Sequence, residues 1–361
     1  MKIGIITFHT AQNYGAVLQA YGLQQTVKKL ENNCEIIDYD CEKFKKDYAV
    51  LKFSLHIKRF FRSVAAVSIT RELKKKYAAY VQHYLQCSKT VYTKQNIKEC
   101  SNQYDLFITG SDQVWDPYCA GFDPNYFLEF VSDESKIASY AASFDKMEIP
   151  EELKEEFIRR VKRFKYISCR EEAGASLVKQ LTGRSVEVHV DPSFLLNADE
   201  WAQIAVKPQI ESPYLFVYPV GQSQEMLEFA KKLAERKGLK VVYLVYNKPW
   251  NDNKVMFVTG AGPEEFLGYI LHAKYVVTNA FHGTAFSLIF HKPFYSFCGK
   301  DGKGNTRIQT VLKASSLRNR IIDEKTLENQ SDAINWTPFE DWTSSEREKT
   351  NSYLKRIIKG E

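Results

Sequence analysis

His282 has the setting best suited to chemistry. It lies in YVVTNAFHGTAFSLIFHKPF, Tyr275–Phe294, where Tyr275–Thr278 reads as a strand and Asn279-Ala280-Phe281 as a turn. His282-Gly283-Thr284 then heads an apolar helical run to Phe290. In open α/β sheets, ligands gather at the carboxyl ends of strands, where helix N-termini offer N–H groups and a positive dipole end to anions. An imidazole there can also exchange protons near neutral pH. The same position suits a histidine that only caps a helix or fills a core, so sequence alone leaves both readings open.

A second group follows the apolar run Asp105–Thr109: Gly110-Ser111-Asp112-Gln113-Val114-Trp115-Asp116. The glycine allows close backbone approach, Asp112 and Gln113 can hydrogen-bond a polyhydroxylated ligand, and Trp115 can stack on a sugar face. The plainer alternative is a turn with an aspartate cap. Arg170 comes third, at the end of the strand Tyr166–Cys169 and before a helix. A cation opposes the dipole at a helix start, so an arginine there serves an anion or carboxylate. Asp38-Tyr39-Asp40 could hold a metal, but an acidic pair after a strand more often caps a helix or stays solvated. The loop 299–307, GKDGKGNTR, carries Lys300, Lys303, Asn305 and Arg307; it suits an anion and equally an ordinary surface turn.

Elements alternate in the order these residues need. Strand 3–8, loop His9–Gly15, helix 16–30 and strand 35–40 open like half of a Rossmann fold, without GxGxxG. A second βα alternation starts at Tyr214 after the proline-containing stretch KPQIESP. The 361 residues exceed what one hydrophobic core usually serves. Three segments are expected: 1–206 with a basic helical insertion at 43–86, then 207–335, and a helical tail at 336–361.

Seven cysteines without a CxxC pair argue against a zinc ribbon or a disulfide framework and fit a reducing cytosol. No apolar run reaches membrane-spanning length, and the chain starts directly in a strand pattern, so a cytoplasmic protein is expected. The net charge is +6, yet residues 43–76 alone carry +9. Basic residues there interleave with Phe53, Leu55, Phe60 and Phe61, which suits either a solvated amphipathic face or an anionic membrane surface. No nucleic-acid recognition module is visible.

MKIGIITFHTAQNYGAVLQAYGLQ, DLFITGSDQVWDP, ISCREEAGASL and TNAFHGTAFSLIFHKPF together resemble the polysaccharide pyruvyl transferase family in order and spacing. The resemblance runs from the first strand to about Arg320. It implies an α/β fold of two Rossmann-like domains facing a cleft, similar to the GT-B glycosyltransferases. The implied activity moves a pyruvyl group from phosphoenolpyruvate to a sugar of an exopolysaccharide, capsule or cell-wall glycan. Arg170 and His282 match the family's phosphoenolpyruvate-contacting arginine and histidine, with Phe281 contributing backbone. Ala280 stands where the family motif has arginine, and Lys303 or Arg307 would compensate.

On this reading the second domain is the donor side, with Gly283, Thr284 and Asn305 beside those residues. Asn13, Tyr14, Gly15, Asp112, Gln113 and Trp115 line the acceptor side of the first. No cofactor or metal is required, and a lipid-linked acceptor would bring residues 43–76 to the inner face of the plasma membrane. Two other readings remain. One is a nucleotide-sugar glycosyltransferase with its base and ribose pocket near Gly221 and Glu264–Glu265. The other is a non-catalytic glycan-binding subunit, which Ala280 suits but which leaves Arg170 and His282 idle.

Overall fold

The apolar runs of the first half become short buried strands: β1 (Ile3–Ile6), β2 (Cys34–Ile36), β3 (Leu106–Gly110) and β4 (Ile137–Tyr140). They pair in parallel in the order β2-β1-β3-β4. Parallel strands covered on both faces read as unbroken hydrophobic runs, which is why the sequence shows no alternation here. Bridges Ala138–Tyr166 and Ala142–Cys169 carry the sheet on to β5 (Ser168–Cys169), which pairs with β6 (Glu187–Val188). The strand order reverses between β1 and β3, so the switch point of this sheet lies at their carboxyl ends.

The computed structural model describes residues 1–47, 67–144, 148–221, 223–245, 252–299, 305–322 and 333–361. The chain divides into two compact units. Unit 1 is Met1–Ala49, Tyr77–Leu195 and Ser345–Glu361; unit 2 is Val50–Lys76 and Leu196–Ser344. The sequence reading set its divisions at 206 and 335 with a separate tail, whereas residues 345–361 pack within unit 1.

Helices α1 (Tyr14–Leu30), α2 (Glu42–Asp47), α3 (Val67–Tyr84), α4 (Glu151–Lys162) and α5 (Glu172–Thr182) precede β6. Asn13 caps α1 by accepting from the Gly15 and Ala16 amides, so that helix starts two residues before Ala16. Along α1, a β-carbon at Gly22 would lie 2.5 Å from the Pro192 carbonyl oxygen, so only glycine lets the helix approach the turn after β6.

Unit 2 contains β7 (Tyr214–Tyr218), β8 (Lys240–Val245), β9 (Val255–Thr259), β10 (Tyr275–Thr278) and β11 (Phe294–Ser296). All pair in parallel in the order β11-β10-β7-β8-β9. This is the five-strand Rossmann order, with its switch point between β7 and β10. Its helices are α6 (Ala198–Ala202), α7 (Gln224–Lys237), α8 (Pro263–His272), α9 (Phe281–Ile289) and α10 (Thr306–Ala314). The last helix is α11 (Thr337–Lys359).

The end of α11 belongs to the core of unit 1. Tyr353, Leu354 and Ile357 cluster with Ile3, Ile5, Ile108 and Tyr140. Burying such side chains stabilises by about 1.5–3 kcal/mol each. The Tyr353 hydroxyl donates to the Ser139 carbonyl at 2.7 Å. His189 is fully buried beside these rings, 4.5 Å from Tyr353 and 5.7 Å from Tyr140, with Nδ1 2.8 Å from the Ser168 hydroxyl.

Burial, reinforced by the positive charges of Lys349 and Arg356, lowers the His189 pKa to about 3. The ring is therefore neutral in the fold, while in the unfolded chain it titrates near 6.5. Its contribution is fully present above about pH 6.5 and declines as pH falls from there towards 3. At pH 5 the expected loss is about 2 kcal/mol. Urea unfolding at pH 7 and pH 5 checks this: the wild type should lose that much more than His189→Phe. Equal losses in the two proteins would refute it.

Candidate active site

β10 ends at Thr278, and the turn Asn279-Ala280 leads into α9. The Thr278 hydroxyl donates to the Tyr218 carbonyl and accepts from the Ala280 amide, fixing the turn beside β7. Asn279 completes the join: its side chain accepts from the Val220 amide at 2.6 Å and donates to the Val220 carbonyl at 3.2 Å. The Asn305 side chain donates to the Asn279 carbonyl at 3.2 Å and caps α10. The ends of β7 and β10 and the start of α10 thus meet at the switch point of unit 2.

His282 is half-buried in the first turn of α9. That helix begins without a side-chain cap or an acidic first-turn residue, a setting that favours anions. Gly283 is required there, because a β-carbon would lie 2.3 Å from the Thr278 hydroxyl oxygen. Asn305 and half-buried Arg307 stand at the head of α10, which the Asn305 side chain ties to the turn before α9. Thr284 is a correction: it is 1 % exposed and its hydroxyl bonds Ser296 and the Ala280 carbonyl, so it faces the core. Lys303, like Lys300, lies outside the described residues.

In unit 1 the expected acceptor residues separate into two groups. Asn13, Asp112 and Gln113 reach the surface at the carboxyl ends of β1 and β3. Asp112 has φ +67°, a strained backbone of the kind that gathers at functional sites. Trp115, by contrast, is fully buried and lies parallel to Phe127 at 5.8 Å, with Phe164 at 5.3 Å. Its faces are covered by the core, so it cannot stack on a sugar. Tyr14 is 3 % exposed with its ring 5.7 Å from Tyr77, and Gly15 is buried, so neither lines a surface.

Arg170 also departs from expectation. Its Nη1 donates to Asp191 at 2.6 Å, its Nε to Glu171 at 2.9 Å and its Nη2 to the Ser143 hydroxyl at 2.6 Å. The side chain is only 4 % exposed. Burial alone would lower its pKa, but the carboxylates of Glu171, Asp191 and Asp112 more than reverse that and raise it. The anions Arg170 serves are therefore the protein's own, and the cluster is net negative. Asp191 follows β6 as Arg170 follows the adjacent β5, a parallel placement from which the pair could have been found.

Glu265, one candidate for a ribose-binding acid, is committed as well. It accepts from the Gly262 amide at 2.7 Å in a capping box and from Lys76 Nζ at 2.7 and 2.9 Å. Lys43 pairs with Asp47 at 2.7 Å and Lys45 with Asp40, while residues 48–66 of the basic segment lie outside the described residues. Among the described residues, no helix is long and apolar enough to cross a membrane.

The putative UDP-N-acetylglucosamine 2-epimerase from Listeria monocytogenes superposes with a TM-score of 0.50 at 9 % identity, covering 99 % of this chain and 90 % of that one. UDP-GlcNAc 2-epimerase from Methanocaldococcus jannaschii gives 0.48 at 11 % identity, with 99 % of each chain covered. The heptosyltransferase WaaC from E. coli gives 0.37 at 11 % identity over 83 % and 89 %. The fold is α/β with two parallel-sheet domains of the GT-B type. No curated protein matches the chain in sequence. The sequence profile of the polysaccharide pyruvyl transferases matches residues 13–297, so the chain belongs to that family and is a transferase.

Proposed function

We propose that this transferase moves a pyruvyl group from phosphoenolpyruvate to a sugar of an exopolysaccharide, capsule or cell-wall glycan, forming a ketal and releasing phosphate. The observation that carries the reading is His282, half-buried in the first turn of α9 at the switch point of unit 2. Ketal formation needs C2 of the enol made electrophilic, a hydroxyl to attack it and phosphate to leave. His282 acts as general acid and base, and the uncapped start of α9 offers N–H groups to the donor's anionic groups. Phe281 contributes backbone, and Asn305 and Arg307 supply further polar and cationic groups in place of the missing motif arginine. Asn13, Asp112 and Gln113 of unit 1 face the acceptor. Arg170 is a positioning residue that holds the acidic edge of unit 1.

A lipid-linked acceptor would draw on the exposed Arg71, Lys74 and Lys75 for contact with an anionic membrane. The nucleotide-sugar alternative is weakened by Glu265, whose carboxylate is occupied by Lys76 and the Gly262 amide. Ligands that bind only the folded state raise the melting temperature. Phosphoenolpyruvate should raise that of the wild type, and the shift should vanish in His282→Ala, while UDP- and ADP-sugars give none. A shift with nucleotide sugars alone would overturn the donor assignment.

A further inference from the structure

His9 is fully buried just beyond β1, between two oxygens. Its Nδ1 lies 3.2 Å from the Thr7 carbonyl and its Nε2 3.1 Å from Asp38 Oδ1. Both of those oxygens accept, so a neutral ring donates to one and an imidazolium to both. Asp38, which follows β2, is the exposed member, with 26 % of its side chain accessible. Its second carboxylate oxygen has no protein partner among the described residues.

The pair lies at the carboxyl ends of β1 and β2, beside the switch point of unit 1, and His9 is tied through Thr7 to the turn that carries Asp112. The Thr7 hydroxyl donates to the Ser111 carbonyl at 3.4 Å and accepts from Gln19 Nε2 at 2.8 Å. The Gln19 oxygen accepts from the Ser111 amide at 3.3 Å. Ligands of open parallel sheets bind at such a reversal. The ring is buried and holds the acid from behind, with the carboxylate left open to solvent.

We infer that Asp38, oriented by His9, binds a saccharide hydroxyl and takes its proton. The inference rests on reading the chain as a pyruvyl transferase and adds to it a carboxylate on the acceptor side. In the reaction, one hydroxyl oxygen of a diol bonds to C2 of phosphoenolpyruvate, and the double-bond pair moves to C3, which takes a proton and becomes methyl. The second hydroxyl oxygen then bonds to C2 as the C2–O bond to phosphate breaks and phosphate leaves with that electron pair. Two O–H protons are released: one balances the new methyl C–H and the other departs with phosphate. Asp38 accepts one of them, and His9 is a positioning residue.

The test uses methyl glycosides with free vicinal or 1,3-diols, read by saturation-transfer NMR and by phosphate release from phosphoenolpyruvate. Asp38→Asn should melt within a few degrees of the wild type, bind the glycosides about tenfold or more weakly and lower kcat about 100-fold or more. His9→Gln, which keeps a donor, should retain more kcat than His9→Phe at similar KM for phosphoenolpyruvate. Wild-type binding and turnover in Asp38→Asn, or a wild type that binds none of the glycosides, would overturn the inference. Losses in the His9 variants that only track the unfolded fraction would overturn its positioning role. Asp38-dependent glycoside binding without any phosphate release would instead sink the donor reading and leave the saccharide site supported.

Discussion

Arg170→Ala should destabilise unit 1 by about 3–5 kcal/mol, because removing one partner of a buried ion pair strands the other. Asp191 is fully buried and Glu171 nearly so, and both point at the same guanidinium. Alanine would leave two carboxylates and the Ser143 hydroxyl facing each other out of water. Arg170→Lys keeps the charge but lacks the fork that reaches all three oxygens, so it should fall between alanine and the wild type. Urea unfolding of the three proteins measures the order. The opposite pattern, a stable alanine variant that no longer responds to phosphoenolpyruvate, would make Arg170 a donor ligand after all.

His282→Ala should slow pyruvyl transfer by about 100- to 10,000-fold, the range general acid–base groups contribute. Folding should hardly change, because His282 is half-buried and α9 packs through Ala285, Phe286, Leu288 and Ile289. Phosphate release at saturating phosphoenolpyruvate, measured beside thermal unfolding, separates the two effects. Near-normal turnover in a folded His282→Ala protein would remove the residue from the chemistry.

The order of strands and helices could be read from the chain because fully buried parallel strands leave contiguous apolar runs such as YVVT and DLFIT. The placement of His282 followed from the same pattern, since a strand, a turn and a helix start appear in one stretch. What escaped were contacts between segments distant in sequence. Trp115 looked like a sugar platform because its polar neighbours are adjacent, while Phe127, Phe157 and Phe164, which enclose it, come later. Arg170 looked like an anion site for want of Asp191, 21 residues on. Asn279 drew no attention, since its partner Val220 is 59 residues away. The apolar spacing of Tyr353, Leu354 and Ile357 promised a buried helix face without naming the sheet it covers.

That covered sheet has a consequence for biosynthesis. The strands of unit 1 precede Leu196–Ser344 of unit 2, yet their core is finished by residues 345–361, which follow it. Domains fold as units while the chain emerges from the ribosome. Here strands β1 to β6 wait, partly uncovered, until residues 345–361 have been made and can pack on them. Unit 1 is therefore completed by a segment distant from its strands, and a chain cut before Tyr353 would leave uncovered the apolar face of Ile3, Ile5, Ile108 and Tyr140.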